Sequence, residues 1–380
     1  VNKILIVSNI VRGQSEGVSF VGGARRNTIT NNQISRNNVG VVASIIAASN
    51  RVVGNRLFSN GNSGVYLSGP AVTENKIISN VIRGPGQSYG VYIQGGAHGN
   101  TITNNQISRH GFYGVIFLTA SSNNRVLANT IVSNASGGIF MGGTGEKNRV
   151  VRNRVYGQST IGIDLSSGTN NMIINNAVYA NVRGIRIGAA GSNWFINNIL
   201  LSNGGVGVTN GATGTRWEYN DVFGHTKNYA NSVALAVSNA SISADPMFSN
   251  AAGGNFRLAS SSSPAVDTGT TNGLMPYDAT PVLGTARDMG AIESPFTNDS
   301  SAPTVTLASP ASGATGVATN ASVVVRWDDN QSGVASNALV VRIAGATAVT
   351  NGAVQSGFMN MAIVRTNLGY RMSVKRTLPY

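Results

Sequence analysis

The chain has 380 residues, no cysteine and a formal net charge of +13 at pH 7. The lack of cysteine excludes disulfide and thiolate chemistry, and no apolar run reaches the ~18 residues that predict a membrane-spanning helix. Residues 1–200 carry 17 Lys or Arg and four acids, whereas residues 201–380 carry ten of each sign. This basic first half favours an anionic partner; the alternative is a solvated surface that keeps a repetitive protein in solution.

An internal repeat of 22–25 residues runs from the start of the chain to about residue 210. Its clearest copy is the decapeptide NTITNNQISR, which begins at Asn27 and again at Asn100. Two Asn five positions apart recur at Asn27/Asn32, Asn50/Asn55, Asn75/Asn80, Asn100/Asn105, Asn124/Asn129, Asn148/Asn153, Asn171/Asn176 and Asn193/Asn198. A glycine followed by Val or Ile recurs in phase with these pairs, from Gly17-Val18 to Gly205-Val206. Repeats of this length are typical of stacked solenoids.

Within each repeat, apolar and polar residues alternate at every second position, as in RVVGNRLFSN and GVYLSG. Such alternation, rich in Val and Ile and interrupted by Gly and Asn, predicts short β-strands joined by turns. One unit cannot bury its apolar face alone, but stacked units can, which is the principle of a parallel β-solenoid. Asn tolerates the left-handed conformation at a corner, and recurring Asn can form a side-chain ladder from coil to coil.

The unit NxIxxNxI…GVxI resembles the right-handed parallel β-helix repeat of pectate-lyase-like proteins over about residues 1–210. We therefore predict an all-β fold: a right-handed parallel β-helix of about nine to ten coils with Asn ladders, followed by a small Ig-like β-sandwich. Val1 falls within a strand-like repeat, and we expect a fragment whose N-terminal cap is missing. An uncapped end would expose a sheet edge that is prone to self-association.

After Asn198 the period fades, and residues from about 211 to 293 resemble the closing segment of many secreted bacterial β-helix proteins. The resemblance is carried by Asp245-Pro246, Phe248, Asn255–Leu258, Ser263-Pro264, Asp267 and Asp288–Glu293. Residues 294–302 form a polar linker, and residues 303–380 resemble the start of a bacterial Ig-like module. The predicted domains are therefore 1–293, 294–302 and 303–380, while the fold of 354–380 is not assigned.

One outward-facing row of side chains is the best candidate for a functional surface. In each Gly-Val-x-apolar strand, x should point outward, and coils should stack about 4.8 Å apart. In coil order the x residues are Ser19, Val42, Tyr66, Tyr92, Ile116, Phe140, Asp164, Arg186 and Gly207. Aromatic faces suit sugar rings, and tyrosine hydroxyls add polar contacts. We predict a saccharide groove in which Tyr66, Phe140, Arg183, Tyr89 and Tyr113 bind substrate; a partner covering the apolar members is the alternative.

The same row limits the possible chemistry. Glycoside hydrolysis needs two facing carboxylates, and the row offers only Asp164. Calcium-dependent catalysis needs clustered acids, and none is evident, so we predict no cofactor or metal, with calcium as the alternative. A metal-free lyase or epimerase needs a base, a cation and an acid, which Asp164, Arg186 and Tyr92 could supply. The segment IGIDLS is similar to the YG-x-D-P-H strand of mannuronan C5-epimerases at Gly162 and Asp164, but Ile161 and Leu165-Ser166 replace its Tyr and Pro-His.

The sequence thus predicts a secreted or cell-surface bacterial β-helix protein that binds an acidic polysaccharide and could cleave or epimerise it. A non-catalytic adhesin or fibre subunit, which self-associates through the apolar row or the uncapped end, is the alternative. Nucleic-acid binding through the basic wall is the weakest interpretation, because no known nucleic-acid-binding module is present.

Overall fold

The structure is a computed structural model that describes residues 2–188, 191–231, 240–272 and 281–296, together with parts of 304–376. Those later parts are 304–311, 313–316, 321–328, 340–343, 346–350, 353–355, 358–365 and 369–376. The chain divides into two compact units, Val1–Ser294 and Pro295–Tyr380. No described helix is long and apolar enough to cross a membrane.

The first unit is a three-sided stack of parallel strands. Sheets I and II are built from three-residue strands, and sheet III from longer ones. Sheet I contains Leu5–Val7, Thr28–Thr30, Arg51–Val53, Lys76–Ile78, Thr101–Thr103, Arg125–Leu127, Arg149–Val151, Met172–Ile174, Trp194–Ile196 and Arg216–Glu218. Sheet II contains Ile10–Arg12, Gln33–Ser35, Arg56–Phe58, Val81–Arg83, Gln106–Ser108, Thr130–Val132, Arg154–Tyr156, Ala177–Tyr179, Ile199–Leu201 and Asp221–Phe223. Sheet III contains Glu16–Phe20, Val39–Ala48, Ser63–Thr73, Tyr89–Gln94, Tyr113–Phe117, Gly137–Met141, Ile161–Leu165, Arg183–Ile187, Val206–Asn210 and Lys227–Asn231, with Ala24–Arg25 pairing beside it.

Each strand pairs with the equivalent strand one coil away, so like residues lie above one another. Ile77, for example, pairs with Val52 on one side and Ile102 on the other. The inward residues form a continuous apolar core in which Ile29, Ile77 and Ile102 are almost fully buried. The predicted parallel β-helix of about nine to ten coils is confirmed.

Ladders of polar side chains line the corners of the stack, and the two predicted Asn ladders are present. In the corner between sheets I and II, Asn105 Nδ2 donates to Asn129 Oδ1 at 3.0 Å, and Asn129 Nδ2 donates to the Ile102 carbonyl at 2.9 Å. A third ladder lies between sheets II and III. The sequence analysis did not predict it, because Asn, Gln and His all occur at its positions. Its members are Gln14, Asn37, Asn60, Gln87, His110, Asn134, Gln158, Asn181, Asn203 and His225.

A row of glycines at the start of the sheet III strands lets successive coils approach closely. A Cβ on Gly114 would lie 2.5 Å from Ile131 Cγ2 and 2.9 Å from the Gly138 carbonyl oxygen. No side chain fits there, which explains why glycine recurs once per coil as the second repeat marker.

Residues 246–272 and 281–294 lie along the outside of the later coils, against sheet II and its corner with sheet I. Phe256 packs against Tyr156 and Tyr179, with ring centroids 5.2 and 5.9 Å away. Arg152 Nη2 lies 3.3 Å from Glu293 Oε2. These contacts cover apolar residues on this face of sheet II, and they involve several residues of the predicted closing segment.

The described strands of the second unit are antiparallel. Thr304–Ser309, Val323–Asp328, Gly369–Arg376 and Phe358–Arg365 form one sheet, in that order, and Val341–Ile343, Ala346–Thr350 and Ala353–Val354 form another. The Ig-like assignment of this unit stays a prediction.

Candidate functional site

The outward row lies on sheet III in the predicted register, with one correction at its end. Tyr66 pairs with Tyr92, and Asp164 with Arg186, in neighbouring coils. The next residue in the row is Thr209, not Gly207. The segment GGVGV contains two Gly-Val pairs, and the structure uses Gly207-Val208 where the spacing had favoured Gly205-Val206. Gly207 therefore lies inside the glycine row and does not face outward.

A strip of aromatic rings covers the middle coils of this face. The Tyr66 and Tyr92 rings meet edge to face at 5.2 Å, and the Tyr89 ring lies 5.0 Å from Tyr92. Phe112 stacks on Tyr89 at 5.6 Å and remains 49 % exposed. Further along, Tyr113 and Phe140 lie 5.0 Å apart. We call these six residues the aromatic strip.

Two glycines allow rings of the strip to lie against the sheet. A Cβ on Gly137 would come within 2.8 Å of Tyr113 Cε1, and a Cβ on Gly142 within 2.5 Å of Phe140 Cε1. Because there is no side chain beneath them, these two rings rest on the backbone. Such rings present flat faces, which is the geometry that stacks on a sugar ring.

The strip also has polar groups on its surface. Tyr92 Oη donates to Gln94 Oε1 at 2.8 Å, and Gln94 Nε2 donates to Tyr66 Oη. The apolar members of the row are not free: Val42 is 3 % exposed and Ile116 is 5 % exposed. The row is therefore an amphipathic surface and not the exposed aliphatic stripe that the sequence left open.

The strip ends at a bidentate ion pair. Arg186 Nε donates to Asp164 Oδ1 at 2.8 Å, and Arg186 Nη2 donates to Asp164 Oδ2 at 2.9 Å. Arg186 Nη2 also contacts Ser166 Oγ at 3.3 Å. Asp164 is only 4 % exposed. Burial raises the pKa of Asp164, and the hydrogen bonds from Arg186 oppose that shift.

Two tyrosines of the aromatic strip, Tyr113 and Tyr92, have raised pKa values. Burial raises the pKa of Tyr113, and the negative charge of Asp164 raises it further while Arg186 lowers it. Burial is also the main cause that raises the pKa of Tyr92, followed by repulsion from Tyr66 and Tyr89. At neutral pH both hydroxyls are therefore protonated, and that of Tyr92 donates its proton to Gln94 Oε1.

All eight predicted site residues face outward on sheet III. Arg183 lies beside the ion pair, one residue before the glycine row, and is exposed. The sequence analysis missed Phe112, Gln94 and Ser166. Gln94 and Ser166 each lie two positions after a predicted outward residue, so the alternation could have found them, whereas Phe112 precedes its strand.

No group of three or more acidic or histidine side chains among the described residues could hold a metal ion. The acids of the first 200 residues are instead spread over the stack: Glu16, Glu74 and Glu146 lie in other coils than Asp164.

A comparison with known protein families identifies the family of the chain. Residues 1–131 and 73–223 match the family model described as "Right handed beta helix region". Together these segments cover more than half of the 380 residues. The protein therefore belongs to the right-handed β-helix family.

Several solved structures resemble the chain at low identity. Pectate lyase Pel9A shares 15 % identity over 73 % of this chain and 77 % of its own, with a TM-score of 0.48. A point mutant of the periplasmic alginate epimerase AlgG shares 14 % over 64 % and 74 %, with a TM-score of 0.44. The Dettilon tailspike protein shares 16 % over 99 % and 82 %, with a TM-score of 0.39. No curated protein matches the chain.

Proposed function

We propose that this protein binds a polysaccharide along sheet III, stacked on the aromatic strip, with an acidic sugar at the end that carries Arg183 and Arg186. The observation that carries the proposal is the aromatic strip: six rings lie on one face, and the strand with Arg183 and Arg186 follows them along the stack. A secreted or cell-surface location belongs to the same proposal, since such a polymer is met outside the cell.

The charge pattern of sheet III specifies how acidic the ligand is. The strands Ser63–Thr73, Tyr89–Gln94, Tyr113–Phe117 and Gly137–Met141 contain no charged residue. The next cations along the stack are Arg183 and Arg186, whose strand lies two coils beyond Phe140. We therefore infer a heteropolysaccharide in which neutral sugars lie on the rings and a carboxylate or other anionic group meets Arg183.

The geometry favours binding over proton transfer. Both carboxylate oxygens of Asp164 accept hydrogen bonds from Arg186, and the residue is buried, so Asp164 is a poor base for a bound sugar. Tyr92 and Tyr113 have raised pKa values, whereas a tyrosine base needs a lowered one. In the proposal, Asp164 is a positioning residue that orients the Arg186 guanidinium.

Binding can be tested with a panel of neutral and acidic oligosaccharides, measured by calorimetry. We expect Tyr92→Ala or Phe140→Ala to weaken binding of the best ligand about tenfold, as the loss of one stacking contact predicts. Phe58→Ala is the matched control, because Phe58 faces outward on sheet II, and it should leave affinity unchanged. Equal loss in all three variants would contradict a site on sheet III.

The charged end and the question of turnover need separate measurements. Arg183→Gln should weaken the binding of acidic oligosaccharides and leave the binding of neutral ones unchanged. Incubation with the bound polymer should release neither unsaturated uronates nor reducing ends. If products do form and disappear in both Asp164→Asn and Arg186→Ala, the face is catalytic and the binding-only assignment is wrong.

A further inference from the structure

A second surface of the stack, on sheet I and its corner with sheet III, is lined by cations. Two adjoining depressions of about 430 and 390 Å³ share Ser49 and Glu74 as lining residues. Together they form what we call the cationic trough, lined by Asn2, Lys3, Arg25, Arg26, Ser49, Arg51, Glu74, Lys76, Gly99, Thr101 and Arg125. Six of these residues are cationic, and Glu74 is the single acid.

The cations of the trough are aligned by the strand register. Arg51 pairs with Lys76, Lys76 with Thr101, and Thr101 with Arg125. The trough therefore follows the axis of the stack, with one step of about 4.8 Å per coil. Lys3 and Arg125 are five coils apart, so the trough is roughly 24 Å long.

This arrangement leaves its positive charge uncompensated by the chain. Among the described residues, Arg51, Lys76 and Arg125 form no ion pair, and all three are exposed. Glu74 accepts a hydrogen bond from Ser49 Oγ at 2.9 Å. Arg51 and Lys76 lie on adjacent coils, about 4.8 Å apart along the axis. Because this spacing is less than the Debye length of about 8 Å at physiological salt, the two cations repel one another.

We propose that the trough is a second binding site, for a linear anionic glycan whose carboxylate or sulfate groups recur along the chain. Guanidinium groups bind such planar or tetrahedral oxyanions through paired hydrogen bonds, and the row lets successive anionic groups meet successive coils. The trough has no aromatic lining residue, so it lacks the stacking platform on which single-stranded nucleic acids depend.

The two faces select different ligands, and neither site depends on the other. Sheet III carries rings and a localised positive end, whereas the trough carries repeated charge and hydroxyls. The trough proposal can therefore be tested independently of the aromatic strip. The variant Tyr92→Ala should not change binding to the trough.

The test compares two charge-matched double variants of the full chain. Arg51→Gln with Arg125→Gln removes two trough cations, and Arg83→Gln with Arg109→Gln removes two exposed cations elsewhere in the stack. Probes are size-defined polygalacturonate, heparin oligosaccharides and a single-stranded oligonucleotide of matched charge. Affinity is measured by calorimetry at several salt concentrations, after melting curves have verified folding.

We expect the trough variant to bind the glycans at least about tenfold more weakly. The slope of log K against log salt should become shallower by about two. The control pair should change affinity less than about twofold. Glu74→Gln should bind more tightly than the wild type, because it removes the only repulsive charge. The relative affinities for polygalacturonate and heparin then assign carboxylate or sulfate as the preferred group.

Three results would overturn the proposal. Equal loss in the two double variants would mean that only net charge matters. Tighter binding of the oligonucleotide than of either glycan would identify a nucleic-acid surface. No binding of any probe by the wild type at low salt would show that the trough is merely solvated.

Discussion

At the scale of single residues, the third ladder shows that a corner position can hold a titratable group. His110 is 2 % exposed, and its Nδ1 lies 3.3 Å from Gln87 Nε2. Burial lowers the pKa of His110 to about 4. Because this pKa is depressed below the usual value of 6.5, the unfolded chain binds the proton more tightly. Stability is therefore full above about pH 6.5 and falls as the pH drops toward 4.

The variant His110→Asn, which restores the usual ladder residue, should reduce this acid sensitivity. Between pH 7.5 and pH 5 the wild type should lose about 2 kcal/mol of unfolding free energy through His110. The variant should lose less, although His225, whose pKa burial also lowers, retains a share. Urea unfolding at the two pH values measures the difference. The exposed His98→Asn is the control, and a variant that loses as much as the wild type would refute the assignment.

Individual site residues could be predicted where the strand period fixes their direction. Asp164 and Arg186 occupy the same position in adjacent coils, so their proximity followed from the repeat alone. The bidentate geometry and the burial of Asp164 did not follow, because they depend on how neighbouring side chains pack. Phe112 was missed because it lies in the turn before its strand, where alternation gives no direction.

At the scale of elements, the repeat markers proved to be packing constraints. The paired Asn mark two corners, and the glycine marks a close approach of one coil to the next. These features fixed the strands, their order and their register from sequence. The third ladder was less predictable, because polar residues of several types can form the hydrogen bonds at a corner. The end of the outward row was less predictable, because GGVGV contains two Gly-Val pairs and either could begin the strand.

The glycine row yields a direct prediction. Gly114→Ala places a Cβ 2.5 Å from Ile131 Cγ2, so we expect a loss of about 1–3 kcal/mol from overpacking. Gly111→Ala is the matched control three residues earlier, where the nearest atom to a Cβ would be 3.8 Å away. Denaturant unfolding of both variants decides the point. Equal stability of the two would contradict the close approach.

At the scale of the whole molecule, repetition concentrates charge as well as hydrogen bonds. The first 200 residues carry all of the excess positive charge of the chain, and the register stacks part of it in the cationic trough. Self-repulsion of this kind destabilises a compact state and is screened by salt.

We therefore expect the melting temperature of the free protein to rise as NaCl increases from about 0.02 to about 0.5 M. The Arg51→Gln, Arg125→Gln variant should show a smaller rise, and Glu74→Gln a larger one. Calorimetric melting at each salt concentration tests this. A melting temperature that is indifferent to salt in all three proteins would show that the stacked charges do not affect stability.

The ladders also give the stack a direction. Along most of the two Asn ladders the side-chain amide donates to the following coil, as Asn50 does to Asn75 and Asn75 to Asn100. The amide dipoles of one ladder therefore point the same way and polarise one another along the axis. Within these ladders each coil presents a side-chain carbonyl oxygen to the preceding coil and a side-chain N–H group to the following one. Only one orientation of a coil on its neighbours preserves these hydrogen bonds, so the Asn ladders make the stack polar along its axis.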